Sequence, residues 1–300
     1  MIILYRQPSL SVKPLISDIL CARWLIYRQE ILNYIPIFLS YLNGNQMVEA
    51  EFGESNTVEL PRLTSNLSIA NPSELANPAL PENSVAIIPI QGVLYAGKTQ
   101  EIINTIRMAE ANPSVGSMLF LVNTPGGMVF LTDLAAETIA KSPLPSVAYV
   151  MNMAASAGMW LVSATNVIYA SSQLDRFGSI GVKTSFTDVN GFLKEKLGIT
   201  VYDLYATKAI HKDQEVRSLL AGDQQPILDD LDFTNEIFHK TIRDNLGLKP
   251  DSEAFSGAMF NAPRAIELGL AHKIGTLEQA IEEASALGIK HKLISLINHH

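Results

Sequence analysis

Three hundred residues suffice for one large domain, or for one domain with a smaller attached region. With 47% apolar and 17% charged residues the chain can bury a sizeable core, which excludes a compositionally disordered protein. A formal net charge of −8 argues against nucleic acid as a partner, and the single cysteine, Cys21, excludes an internal disulfide framework.

The opening, MIILYRQPSLSVKPLISDIL, has an early Arg but no apolar core of export length and no small-residue cleavage pattern, so a cytoplasmic compartment is expected. Residues 1 to about 45 read as a helical arm. Ile16, Leu20, Trp24 and Tyr27 recur at helical spacing, and Asn43–Gly44–Asn45 reads as a stop. The apolar face is expected to pack on the parent domain or on a neighbouring subunit. From Asn56 to Asn83 the chain is rich in Asn, Ser, Pro and Leu without periodicity and reads as a linker. This divides the chain into an arm and linker over 1–83, a main domain over 84–288 and a tail over 289–300. Mean hydropathy is +0.16, high for a soluble monomer, yet no apolar run is long enough to cross a bilayer. A homo-oligomer without a membrane span is expected.

The texture changes after residue 84. Val85–Ile90, Val115–Val122, Val147–Met151 and Val167–Ala170 are compact apolar runs. Helical spacing appears between them, at Ile102, Ile106 and Ala109 and again from about Val129 to Ala140. Strands alternating with helices predict βαβ units around a mostly parallel α/β sheet, and near-continuous apolar strands predict cover on both faces. Downstream, Thr200–Leu204 reads as a short strand before the polar segment ATKAIHKDQEVRS. A long amphipathic helix through Ile227, Leu231, Thr234, Phe238 and Ile242 is expected to stop at Gly247. A short helix, a strand and a closing helix follow.

Gly92-Val-Leu-Tyr-Ala-Gly97-Lys98-Thr99 matches the phosphate-loop pattern G-x-x-x-x-G-K-S/T letter for letter. On that reading Lys98 would meet a nucleotide's terminal phosphates. Bulky Val, Leu and Tyr stand where a cradle favours small residues. The next strand also ends in Asn123, where a magnesium-holding acid would be needed. The six histidines form no HExxH motif, and neither a metal nor an organic cofactor is expected.

Three other segments suit acyl transfer. Asn123-Thr-Pro-Gly-Gly127 ends a strand. Its glycines permit close approach of a substrate chain, and their N–H groups could face an oxyanion, although a plain strand-to-helix turn also favours Pro and Gly. Met153-Ala-Ala-Ser156-Ala-Gly158 places a serine among small residues at a helix start, with the Ala157 N–H beside it; a helix cap is the plainer reading. A serine nucleophile needs a base, and no histidine lies between Ser156 and Ile210. A neutral lysine can serve, with Lys208 and Lys212 as the candidates. Phe177-Gly-Ser179-Ile-Gly181 sets a third serine between glycines, either as a turn or as a hydroxyl placed against the lysine.

Together these segments resemble the signal peptide peptidase A family of serine peptidases, including its soluble phage-encoded members. The resemblance runs from about Val85 to Ala284 and rests on VAIIPIQG, NTPGG, MAASAGMWLVSATNVIYA, GSIGV, the HKD segment and AIELGLAHKIGTLEQAI, in that order. It implies a Clp protease/crotonase-like fold for 84–288 and a serine–lysine endopeptidase working through an acyl-enzyme. Carried over by position, it implies Ser156 as nucleophile, Lys212 as base and Ser179 as the residue holding the lysine. Gly126, Gly127 and Ala157 would be backbone oxyanion donors. Phe177 and the run Ala157-Gly158-Met159 depart from the family pattern without removing a reacting group. The implied substrate is a polypeptide, with processing of phage scaffold or capsid protein as the implied role. A non-hydrolytic oligomeric assembly protein on the same fold and a phosphate-loop nucleotide hydrolase are the competing readings.

Overall fold

A computed structural model describes residues 24–26 (backbone only), 69–76, 79–185, 194–195, 198, 200 and 202–298. The chain divides into two compact units, Met1–Gly181 with Phe238–His300, and Val182–Ile237.

The first unit is built on a mostly parallel sheet, as the alternating runs predict. Its strands are β2 (Ile69–Ala70), β3 (Ser84–Gln91), β4 (Val115–Thr124), β6 (Ser146–Ala155), β7 (Val167–Ala170) and β10 (Lys273–Ile274), in the order β10-β7-β6-β4-β3-β2. A short β5 (Gly126–Met128) follows β4, and β1 (Trp24–Ile26) pairs antiparallel with it. β8 (Arg176–Gly178) pairs parallel with the end of β6 and antiparallel with β9 (Met259–Asn261). The helices are α1 (Ala96–Ala111), α2 (Thr132–Lys141), α3 (Ala157–Ser163), α4 (Gln214–Leu220), α5 (Gln225–Leu246), α6 (Ala262–Glu267) and α7 (Leu277–Asn298).

Both faces of the sheet are covered, which is why its strands read as unbroken apolar runs. Val85, Ile87, Leu119, Leu121, Val147, Tyr149 and Tyr169 pack with Leu277, Ala280, Ile281 and Ala284 of α7. Residues of the opposite parity, among them Ile88, Ile90, Phe120, Val122 and Val150, are equally buried, and α1 and α3 pack on the same strands. Pro89 is tolerated inside β3 for a traceable reason. Gly92 N–H donates towards β4, at Asn123 O, so by alternation the missing N–H of Pro89 faces the other side. There β2 pairs only as far as Ala86.

Several expectations are corrected. Trp24 lies in a strand and not in a helix; Ile16, Leu20, Tyr27 and Asn43–Asn45 lie outside the described residues. Ile69–Ala70, read as linker, is a strand of the main sheet, so the sheet begins upstream of residue 84. α7 continues past residue 288 to Asn298. Residues 200 and 202–204 form no strand. The long helix α5 and its stop at Gly247, with φ 66°, are as expected.

In the second unit, α4 is preceded by a turn in which the Lys212 N–H donates to Ala209 O at 3.1 Å. Arg217 holds this turn by donating to Ile210 O at 2.5 Å and lying 5.0 Å above the Tyr205 ring.

His239, in the α5 portion of the first unit, carries a pH dependence. Burial pushes its pKa below the ordinary histidine value, against a backbone hydrogen bond with Ile180 that favours the proton, and Arg243 lowers it further. Its Nε2 is buried without a hydrogen-bond partner, and its ring lies 4.8 Å from Phe255. Above the unfolded value of ~6.5 neither state holds the proton; below it, the unfolded chain takes up a proton that the folded chain resists. Stability therefore falls as pH drops below about 6.5. Calorimetric melting between pH 7.5 and 5 should show a steeper decline for the parent chain than for His239→Gln; equal slopes would remove His239 as the cause.

Candidate active site

The site forms where β4 and β6 end. Thr124, fully buried, donates its hydroxyl to Gly92 O at 2.6 Å and accepts the Gly126 N–H at 3.1 Å. One side chain thus joins the ends of β3 and β4 to the glycine turn. Beyond Pro125, Gly126 has φ 96°, a left-handed conformation suited to glycine. Leu94 then runs beside β5, donating its N–H to Gly126 O at 2.9 Å and accepting the Met128 N–H at 2.7 Å. Because backbone groups alternate along a strand, Gly127 directs its N–H and C=O to the opposite side, where Leu25 of β1 pairs with it.

This arrangement overturns the phosphate-loop reading. The N–H groups of Leu94 and Thr99 are engaged, at Gly126 O and Tyr95 O. Lys98 folds back to donate to Gln91 O, and burial lowers its amine to a pKa of about 8.

Ser156 sits between β6 and α3, with φ 54° and ψ −115°, a conformation disfavoured for any residue with a Cβ. Its backbone is held at both ends: its N–H donates to Gly178 O at 2.8 Å and its carbonyl accepts the Trp160 N–H at 3.1 Å. Trp160 in turn stacks on Phe238, with ring centroids 4.5 Å apart. Ala157 opens α3, so its N–H has no acceptor within the helix. Gly158 lets the helix start lie against β4, since a Cβ there would come within 2.5 Å of Thr124 Cγ2.

A bulge aims β6 at this point. Val122 pairs with Val150 but Thr124 pairs with Ala154, so β6 carries extra residues around Asn152, whose φ is 76°. The buried Asp175 carboxylate secures the bulge. It accepts from Asn152 N at 2.8 Å, Ser171 N at 2.6 Å, Ser171 Oγ at 2.9 Å and Ser172 N at 2.9 Å. Asn152 Nδ2 also reaches Asn123 Oδ1 at 3.2 Å. Nothing local in the sequence marks Thr124, Asn152 or Asp175, although Thr124 lies inside the NTPGG segment; each has a partner distant in the chain.

Ser179 has φ 53° and donates its N–H to Ala258 O at 2.7 Å. It follows Gly178, the residue bonded to Ser156, so these two serines are brought together within the first unit. Gly178 is required there, because its φ is 125° and a Cβ would lie 2.2 Å from Ala258 O. Phe177, the departure from the family pattern, is a fully buried core side chain paired with Ala154 and Phe260. Of the two glycines, Gly126 turns its N–H onto Thr124, and Gly127 turns its N–H to the side on which β1 pairs. Lys208 and Lys212 belong to the second unit and are exposed. Among the described residues there is no cluster of potential metal ligands, and no helix is long and apolar enough to cross a membrane.

The family model for peptidase family S49 matches residues 138–289, a span that contains Ser156, Ser179 and Lys212. Capsid assembly protease C of Escherichia phage lambda is 31% identical over 220 residues, covering 66% of this chain and 48% of that protein. Protease 4 of Haemophilus influenzae is 24% identical over 247 residues, covering 78% of this chain and 39% of that protein. The chain thus spans less than half the length of either relative. Among solved structures, a membrane-bound stomatin-specific protease in complex with a substrate peptide is 16% identical, with a TM-score of 0.46 over 68% of this chain and 81% of that one. ClpP1 of Listeria monocytogenes is 12% identical, with a TM-score of 0.42 over 65% and 94% of the two chains. With the S49 model matching just over half of its length, this chain belongs to peptidase family S49.

Proposed function

We propose that this chain is a serine endopeptidase that cleaves polypeptides through an acyl-enzyme, with Ser156 as nucleophile and Lys212 as general base. The observation that carries this reading is the strained backbone of Ser156, at φ 54°, fixed at a strand-to-helix turn beside a free helix-start N–H. In the proposed step neutral Lys212 takes the hydroxyl proton while Ser156 Oγ attacks the scissile carbonyl. The N–H group of Ala157 stabilises the resulting oxyanion, Gly127 offers its N–H to the substrate backbone, and the lysine then returns the proton to the leaving amine. Ser179 holds the lysine, and water repeats the sequence on the acyl-enzyme.

Lys212 is exposed in the single chain, whereas a lysine base must be desolvated to be neutral near pH 7. Its cover by substrate or by a second copy of the chain is therefore part of the proposal, and it supports a homo-oligomer as the working form. The 31% identity to a capsid assembly protease supports a substrate among phage head-assembly polypeptides.

The base assignment is tested with lysine variants assayed on an unfolded polypeptide such as casein. Lys212→Met and Lys212→Arg should each lose at least about a hundredfold in rate, because a guanidinium stays protonated and cannot act as base. Lys208→Met should keep the parental rate. The opposite pattern, with the 208 variant inactive and the 212 variants active, would transfer the role to Lys208.

A further inference from the structure

We propose that the chain's own segment Trp24–Ile26 is a built-in competitor for the substrate-binding edge, so that the full chain rests in a self-occupied state. This rests on the reading of Ser156 as the nucleophile served by that edge.

β5 has two sides. Leu94 occupies one, through the bonds to Gly126 and Met128. The other presents the N–H and C=O of Gly127, an edge that an extended polypeptide can join by strand addition. β1 lies there, antiparallel, with Trp24 opposite Met128, Leu25 opposite Gly127 and Ile26 opposite Gly126. Leu25 therefore takes the backbone position that a bound substrate residue would need, and the two cannot share it.

The direction of β1 also suits delivery of a chain to the proposed nucleophile. β1 runs from the Met128 end of β5 to the Gly126 end, and Gly126 is bonded to Thr124, against which the start of α3 packs at Gly158. A chain laid this way leads its next residues towards the turn that carries Ser156. The segment Arg23-Trp-Leu-Ile-Tyr-Arg28 is rich in strand-forming side chains. Its covalent attachment through residues 27–68 gives it an effective concentration of order millimolar, well above that of a dilute substrate.

The test uses full-length chains carrying Ser156→Ala, which prevents turnover of the probe or of the chain itself. The probe is the labelled peptide acetyl-Arg-Trp-Leu-Ile-Tyr-Arg-amide, and binding is read by fluorescence anisotropy. Leu25→Pro removes the Leu25 N–H and bars the ladder; Leu25→Ala keeps it. The proline variant should bind the probe about tenfold more tightly than the chain with Leu25, and the alanine variant within about threefold of it. Matching melting curves show that the core is intact. Equal affinity in all three chains, or no binding in any, would overturn the proposal.

A second arm restores Ser156 and measures casein cleavage below saturation, where Leu25→Pro should be about tenfold faster. If the proline variant binds more tightly yet no chain cleaves, self-occupancy stands and the peptidase reading fails. If all chains cleave equally and bind equally, the peptidase reading stands and self-occupancy fails.

Discussion

Ser156→Ala is expected to abolish cleavage with the melting temperature unchanged, and Ser156→Gly to abolish it while raising the melting temperature. Both remove the hydroxyl, and loss of a nucleophile of this type costs on the order of 10⁴-fold or more in rate. They differ in the backbone. At φ 54° a Cβ carries a penalty of about 1–2 kcal/mol, which alanine retains and glycine escapes. Glycine's greater freedom in the unfolded chain offsets about 0.5–1 kcal/mol of that relief, leaving a net gain of up to about 1.5 kcal/mol. The conformation is held because Gly178 O and the Trp160 N–H grip the residue from both sides. Such strain marks a position where the surrounding structure enforces an exact aim for one side chain. The pair is checked by polypeptide cleavage together with scanning calorimetry. More than about 1% residual activity in Ser156→Ala would place the nucleophile elsewhere. A glycine variant no more stable than the alanine one would remove the strain argument.

The parallel sheet was legible because burial on both faces leaves a plain signature, an apolar run bounded by turns. Val167–Ala170 was read to the residue, and β3, β4 and β6 to within a few. The location of Ser156 between strand and helix was legible for the same reason. The failures share one physical cause, that the deciding partner lies far away in sequence. Trp24 falls on a helical spacing with Ile16, Leu20 and Tyr27, but residues 24–26 pair with β5, and a local period cannot anticipate such an edge. Thr124 and Asp175 are ordinary loop residues until the fold brings Gly92, Asn152 and Ser171 to them. Lys98 misleads in the reverse sense. Its letters match a phosphate loop, yet Leu94 is already committed to β5 and the amine to Gln91.

Gly127→Ala should be strongly damaging, while Gly97→Ala, in the phosphate-loop pattern, should be tolerated. A Cβ at Gly127 would stand 1.8 Å from Leu94 O, 2.5 Å from its carbonyl carbon and 2.6 Å from its nitrogen. None of these is the free end of a flexible side chain. Leu94 is bonded to Gly126 O and to the Met128 N–H, so moving it aside breaks the contacts that fix β5. Overpacking against immobile backbone, together with the lost hydrogen bonds, should cost about 3–5 kcal/mol, or a fall of roughly 10 °C in melting temperature. Cleavage should fall with it, even at temperatures where the variant remains folded, because the edge of β5 away from Leu94 moves with Gly127. At Gly97 the nearest atom to a new Cβ is the Tyr95 ring at 3.1 Å, a side chain able to turn, and the position lies in the first turn of α1. There the helix-forming preference of alanine should roughly balance the contact. A Gly127→Ala chain melting within about 2 °C of the parent would mean that Leu94 does not hold β5 as described, and with it would go the geometric basis for a peptide-binding edge on β5.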